Sequence, residues 1–171
     1  MKKVSLFTIF TLALLLMAGP ALAVSDSKNL TVTATVASSA KLNLTATTLT
    51  FPDSDPDTVT SIPATEGAIS VTAKAKTGSL SKVTLEVRSS GPSSGDLVSG
   101  SDTIAISNLS WVGSGTGFTS GTISMTNSNQ TAASWTGSGS RVGTQTFSLA
   151  NSWSYALGSY SATITYTLTS P

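Results

Sequence analysis

Two stretches of this chain alternate between hydroxyl and apolar residues, and that period of two constrains the fold more than any other feature. Leu30, Val32, Ala34 and Val36 alternate with Thr31, Thr33 and Thr35, and Tyr160, Ala162, Ile164, Tyr166 and Leu168 alternate with Ser161, Thr163, Thr165, Thr167 and Thr169. Successive side chains on a strand point to opposite faces, so each run sets an apolar row against a hydroxyl row. Both runs are predicted to be half-buried β-strands. Further strands are predicted at about 41–45, 48–51, 68–75, 82–88, 102–107, 117–126 and 144–149. They are separated by Gly-, Pro-, Asp- and Ser-rich turns at 52–56, 77–78, 89–95, 113–117 and 134–143. The last of these contains Trp135, which is expected to pack back onto the domain. No segment sustains a helical period, and no internal repeat is visible. The pattern predicts an all-β, immunoglobulin-like antiparallel β-sandwich over residues 37–171, with a jelly roll as the alternative.

The start of the chain bears on its compartment. Lys2 and Lys3 precede an apolar run that ends at Gly19-Pro20, followed by Ala21-Leu22-Ala23. A short basic start, an apolar stretch and a small-x-small site make residues 1–23 a predicted signal peptide, cleaved after Ala23. A spanning helix would need roughly 20 apolar residues, and Gly19-Pro20 interrupts this one sooner. Export is therefore expected, with the periplasm as a transit compartment and the cell surface as the destination.

What remains is long enough for one domain with a core of its own, and it has no cysteine from which to build disulfides. Removing Lys2 and Lys3 leaves seven Lys and Arg against eight Asp and Glu, a formal charge of −1. No basic stripe for nucleic acid results; Lys74, Lys76 and Lys82 are the nearest thing to one, and they read as solubilising residues. Scarce charge with abundant Ser, Thr, Gly and Ala suits an extracellular β protein. The recurring β-branched residues argue against disorder.

The absence of His and Cys removes the Ser-His-Asp triad, the Cys-His pair and histidine zinc sites. Ser38-x-x-Lys41, Ser79-x-x-Lys82 and Lys76-Thr77-Gly78 match short motifs of penicillin-recognising enzymes. That chemistry needs its serine and lysine on one helical turn, and here both pairs fall in strand or turn sequence. No catalytic residue, cofactor or resident metal is expected, and the chain is read as a non-enzyme. Asp53, Asp55 and Asp57 could converge on Ca²⁺, but Thr58 stands where a hand-type loop needs glycine and Ala64 where it needs a carboxylate. A proline-braced turn with Asp side chains capping local amides is the favoured reading. Trp111, Trp135, Trp153, Tyr155 and Tyr160 could form a sugar-stacking platform, making a glycan partner one option. The opposing expectation is that these aromatics are buried anchors. Residues 113–117 read as a hairpin loop, since no helix follows to make a phosphate cradle. Asn29, Asn43 and Asn108 fit the glycosylation pattern but lie in strand sequence.

Residues 27–36, Ser-Lys-Asn-Leu-Thr-Val-Thr-Ala-Thr-Val, resemble the amino-terminal extension of cysteine-free, alpha-class fimbrial subunits of the colonisation-factor type, which assemble by the chaperone–usher route. Residues 158–169 resemble the last strand of those subunits, and residues 104–111 are similar to a stretch in their middle. The resemblance implies an incomplete immunoglobulin-like domain whose groove receives the extension of the next subunit. Leu30, Val32, Ala34 and Val36 would be the knobs of a donor strand over residues 24–36. A periplasmic chaperone, an outer-membrane usher and further surface subunits would be its partners, and surface structure or adhesion its role. A weaker likeness links residues 158–171 to the end of WxL-type surface domains, although the Trp-x-Leu signature is missing. The alternating run at 29–36 serves equally well as the first strand of a self-contained secreted binding domain, and both readings stand open at this point.

Overall fold

The computed structural model describes residues 24–91, 93–124 and 128–171. The predicted signal peptide lies outside them. The chain divides into two units at Thr35/Val36. In the first, the described residues have no secondary structure, and Lys28 Nζ pairs with Asp26 Oδ1 at 3.2 Å.

The second unit is an all-β antiparallel sandwich. Its strands are β1 (Ser39–Leu44), β2 (Ser61–Lys76), β3 (Lys82–Ser90), β4 (Leu97–Ser99), β5 (Asp102–Ile104), β6 (Leu109–Ser114), β7 (Gly121–Thr122), β8 (Gln130–Thr136), β9 (Gly139–Ala150) and β10 (Thr163–Thr169). One sheet has the order β1-β2-β9-β6-β7, the facing sheet β10-β3-β8, and β4 and β5 form a small hairpin. Alternation builds the core directly. Val71, Phe147, Leu149, Leu109 and Trp111 from the larger sheet meet Leu85, Val87, Ala133 and their neighbours from the smaller, all buried, while the intervening Thr and Ser residues face outward. Trp111 lies against Phe147 with ring centroids 6.4 Å apart, and its Nε1 donates to Thr119 O at 2.8 Å. A smaller cluster of Ala73, Ala75, Val83 and Trp135 fills one end.

Four predicted segments fold differently. Residues 29–36 are assigned to no strand, so the expectation of a half-buried strand there is corrected. Residues 48–51 also form no regular strand. Thr65 N–H donates to Thr50 O at 2.9 Å, but Pro63 has no N–H to give and the register of β2 shifts between Pro63 and Ala68, which breaks the ladder. Thr50 N–H donates instead to the Glu66 carboxylate at 2.9 Å, which holds that carboxyl below the usual range. Residues 134–143, predicted as a loop, are the β8–β9 hairpin. Gly137, at φ 76°, makes its tight turn, and Trp135 packs inward as expected. The 117–126 segment shrinks to β7, its residues 125 and 126 lying outside the described residues.

Candidate functional site: an open side of the sandwich

Among the described residues β10 pairs with β3 alone and β1 with β2 alone, so each presents an edge that no described strand pairs. Both edges flank the same side of the sandwich. Leu42 of β1 and Leu168 of β10 pack against the same buried cluster, and the two strands approach each other. Beyond β10, Ser170 Oγ donates to Lys76 O at 3.1 Å and Thr77 Oγ1 donates to Pro171 O, which fastens this side at one end.

A burial gradient marks the opening. Leu168, Tyr166 and Ile164 stand opposite Leu85, Val87 and Ser89 of β3. The β3 residues are completely buried, whereas the three on β10 are half-buried although they face the same core. The other sheet behaves alike: Leu42 and Leu44 are half-buried beside the fully buried Ala73 and Val71. Ala46, Leu49 and Phe51 extend this half-covered lining. The core is sealed one strand in from each edge and left part-open at the edge itself.

The predicted carboxyl-terminal row is therefore assembled in part. Ile164, Tyr166 and Leu168 line the opening on β10, but Tyr160 and Ala162 precede the strand, a correction to the sequence reading. Ser161 is diverted into a bridge with Val98, donating to and accepting from it at 3.1 and 3.0 Å, and the ladder with β3 begins only at Thr163. Tyr160 instead donates its hydroxyl to Ala156 O at 2.9 Å. Tyr166 donates its hydroxyl to Gln145 Oε1 on β9. Gln145 is completely buried, and its Nε2 has no hydrogen-bond partner among the described residues. Burial raises the Tyr166 phenol well above its ordinary range.

The predicted knobs, Leu30, Val32, Ala34 and Val36, are all exposed, the three larger ones at 89, 82 and 76%. They carry a strand's alternation without a strand's sheet.

The other sequence candidates separate. Trp111 and Trp135 are core residues, so the five aromatics form no common platform; Arg141 lies over Trp135, 5.7 Å from the ring centroid. Trp153 is not the buried anchor expected. It is 70% exposed, and its Nε1 donates to Asp57 Oδ1 at 3.0 Å. Asp55 caps its own turn, accepting from Asp57 N–H at 2.9 Å through Oδ1 and from Val59 N–H at 2.8 Å through its carbonyl. Among the described residues no three acidic side chains are grouped to hold a metal ion. Lys41 and Lys82 lie on strands, and among the described residues no helix brings a serine beside either. Sequence reasoning missed Gln145 and the β1 side of the opening; the half-buried alternation of Leu42, Leu44 and Ala46 was its only trace.

Compared with known proteins, the chain matches no family model, no curated protein and no solved structure.

Proposed function

We propose that this chain is an exported, non-catalytic surface subunit, structural or adhesive, whose sandwich is completed by residues 30–36 of another copy. One observation carries this reading. Among the described residues the chain holds both a sheet edge whose core-facing row, Ile164, Tyr166 and Leu168, lacks a covering strand and a strand-patterned segment that lacks a sheet. Strand addition joins such parts: main-chain hydrogen bonds supply affinity, and alternate side chains entering the opening set the register. A slip of one residue would turn every knob to solvent.

The strand order supports it. β1-β2-β9-β6 follows the A-B-E-D order of an immunoglobulin-like domain, and β10-β3 follows F-C. The strand without a counterpart is the seventh, which in that fold lies beside F, here β10. An unpaired edge with apolar residues half-exposed is an aggregation hazard unless something covers it. A head-to-tail contact that does not close gives a filament, which fits a fimbrial subunit handled by a periplasmic chaperone and an outer-membrane usher. The test is a labelled peptide of residues 27–36 added to the chain from residue 24. Saturable binding that a peptide with Val32→Asp does not show is expected, and equal binding of the two peptides would overturn the proposal.

A monomeric surface domain that binds polysaccharide is the second reading, favoured by the exposed Trp153 ring held by Asp57. Retention on insoluble glycan that is lost in Trp153→Ala would support it.

A further inference from the structure

The charges of the sandwich are sorted along its strands. Lys41, Lys74, Lys76, Lys82 and Arg141 cluster where β2 ends and β3 begins, next to the 77–81 turn and the β8–β9 hairpin. That these elements share one end follows from Gly137 N–H donating to Ser81 O at 2.9 Å and Thr77 N–H to Ser138 Oγ at 2.8 Å. No acidic residue lies among them. Asp53, Asp55 and Asp57 lie at the opposite end, before β2 begins, tied to the stretch after β9 by Asn151 Nδ2 donating to Ser54 O at 2.9 Å and by Trp153 donating to Asp57. Near that end Asp96 precedes β4 and Asp102 opens β5 within the β4–β5 hairpin, Arg88 is the basic exception there, Glu66 lies in the first half of β2, and Glu86 lies midway along β3.

This arrangement works against the isolated domain. Lys41 and Lys74 stand directly opposite each other on neighbouring strands, both exposed, a placement that costs stability. Among the described residues no ion pair joins two residues of the sandwich. β2 spans 16 residues, so the ends lie on the order of 45 Å apart, several Debye lengths at physiological salt. Neither end neutralises the other within one copy. Each also exposes an apolar side chain: Leu80 at 91% on the basic end, Trp153 at 70% on the acidic end.

Connectivity selects how copies would meet. β1 begins at Ser39, opposite Lys76 and thus at the basic end, and only Ala37 and Ser38 separate it from Val36. The three peptide steps from Val36 to Ser39 span at most about 11 Å, so a strand donated by residues 30–36 brings the donor's basic end against the recipient. Entry at the recipient's basic end would oppose like charges. Entry at its acidic end pairs Lys74, Lys76 and Lys82 with Asp53 and Asp57, and Leu80 with Trp153.

We infer that the two ends of the sandwich are complementary faces of a head-to-tail contact between copies of this chain, Lys76, Lys82 and Leu80 of one docking on Asp53, Asp57 and Trp153 of the next. The contact rests on the strand-donation reading and adds to it an electrostatic step that orients each incoming copy.

The test follows assembly of the chain from residue 24 by light scattering, with binding of the labelled 27–36 peptide measured on the same proteins. Lys76→Glu with Lys82→Glu, and separately Asp53→Lys with Asp57→Lys, are each expected to slow assembly about tenfold or more at low salt. The protein carrying all four substitutions is expected to recover most of the rate. Peptide binding, which needs the opening and not the ends, is expected to be unchanged throughout. Assembly at the wild-type rate in both charge variants, with the peptide still bound, would overturn the end contact and leave strand donation standing. Failure of the wild-type chain both to bind the peptide and to assemble would overturn both. A four-fold variant as slow as its parents would also overturn the contact, because it would show that the substitutions act by some route other than charge pairing.

Discussion

Tyr166 on β10 donates its hydroxyl to Gln145 on β9, and this hydrogen bond crosses from one sheet to the other at the open side of the sandwich. The bond joins a half-buried edge residue to a completely buried amide. Tyr166→Phe keeps the ring and leaves Gln145 with neither amide atom paired. A loss of about 1–3 kcal/mol in chemical denaturation at neutral pH is expected. The same residue contributes to behaviour in alkali, alongside Tyr155, whose phenol burial also raises. An unfolded tyrosine loses its proton near pH 10, whereas burial keeps Tyr166 protonated in the native state well above that. The native state therefore binds more protons, and this contribution is complete below about pH 10 and falls as pH rises past it. Tyr166→Phe is expected to flatten that fall, and absorbance at 295 nm checks which phenol titrates late.

Gly143 on β9 lies under the ring of Phe118, whose nearest atom would stand 2.4 Å from an added Cβ. No side chain fits there unless the ring moves. Gly143→Ala is expected to destabilise the domain by about 1–3 kcal/mol, read as a lower thermal midpoint. An unchanged midpoint would show that Phe118 has room to shift.

Val32 is 82% exposed and on no strand. Val32→Asp should leave the stability of the single copy within about 0.5 kcal/mol while abolishing assembly. Equal thermal midpoints with unequal light scattering would confirm that the side chain acts only between copies.

Much of this architecture was legible in the chain. The alternation of β3, the latter part of β9 and β10 follows from Val83, Leu85 and Val87, from Phe147 and Leu149, and from Ile164, Tyr166 and Leu168, because a period of two on a half-buried sheet needs no further information. The same rule over-read residues 29–36. Alternation says that a segment suits a sheet and does not say which sheet, so Leu30 to Val36 looked like a first strand although they are exposed here. Residues 134–143 were misread for the converse reason. Gly139 and Gly143 look like turn residues, yet Gly143 is a strand position whose missing side chain is replaced by the Phe118 ring from another element. Of the candidate site, Ile164, Tyr166 and Leu168 were found from sequence. The opening between β1 and β10 was not, since it depends on which strand lacks a neighbour, and pairing is a property of the fold as a whole.

Size-exclusion chromatography with light scattering tests strand donation most directly, comparing the chain from residue 24 with a truncation that begins at Ala37. The longer chain is expected to form concentration-dependent multimers, and the truncation to stay monomeric, folded and able to bind the 27–36 peptide. A longer chain that remains a stable monomer at every concentration, beside a truncation that unfolds, would contradict it, because residues 30–36 would then belong to the sheet of their own copy.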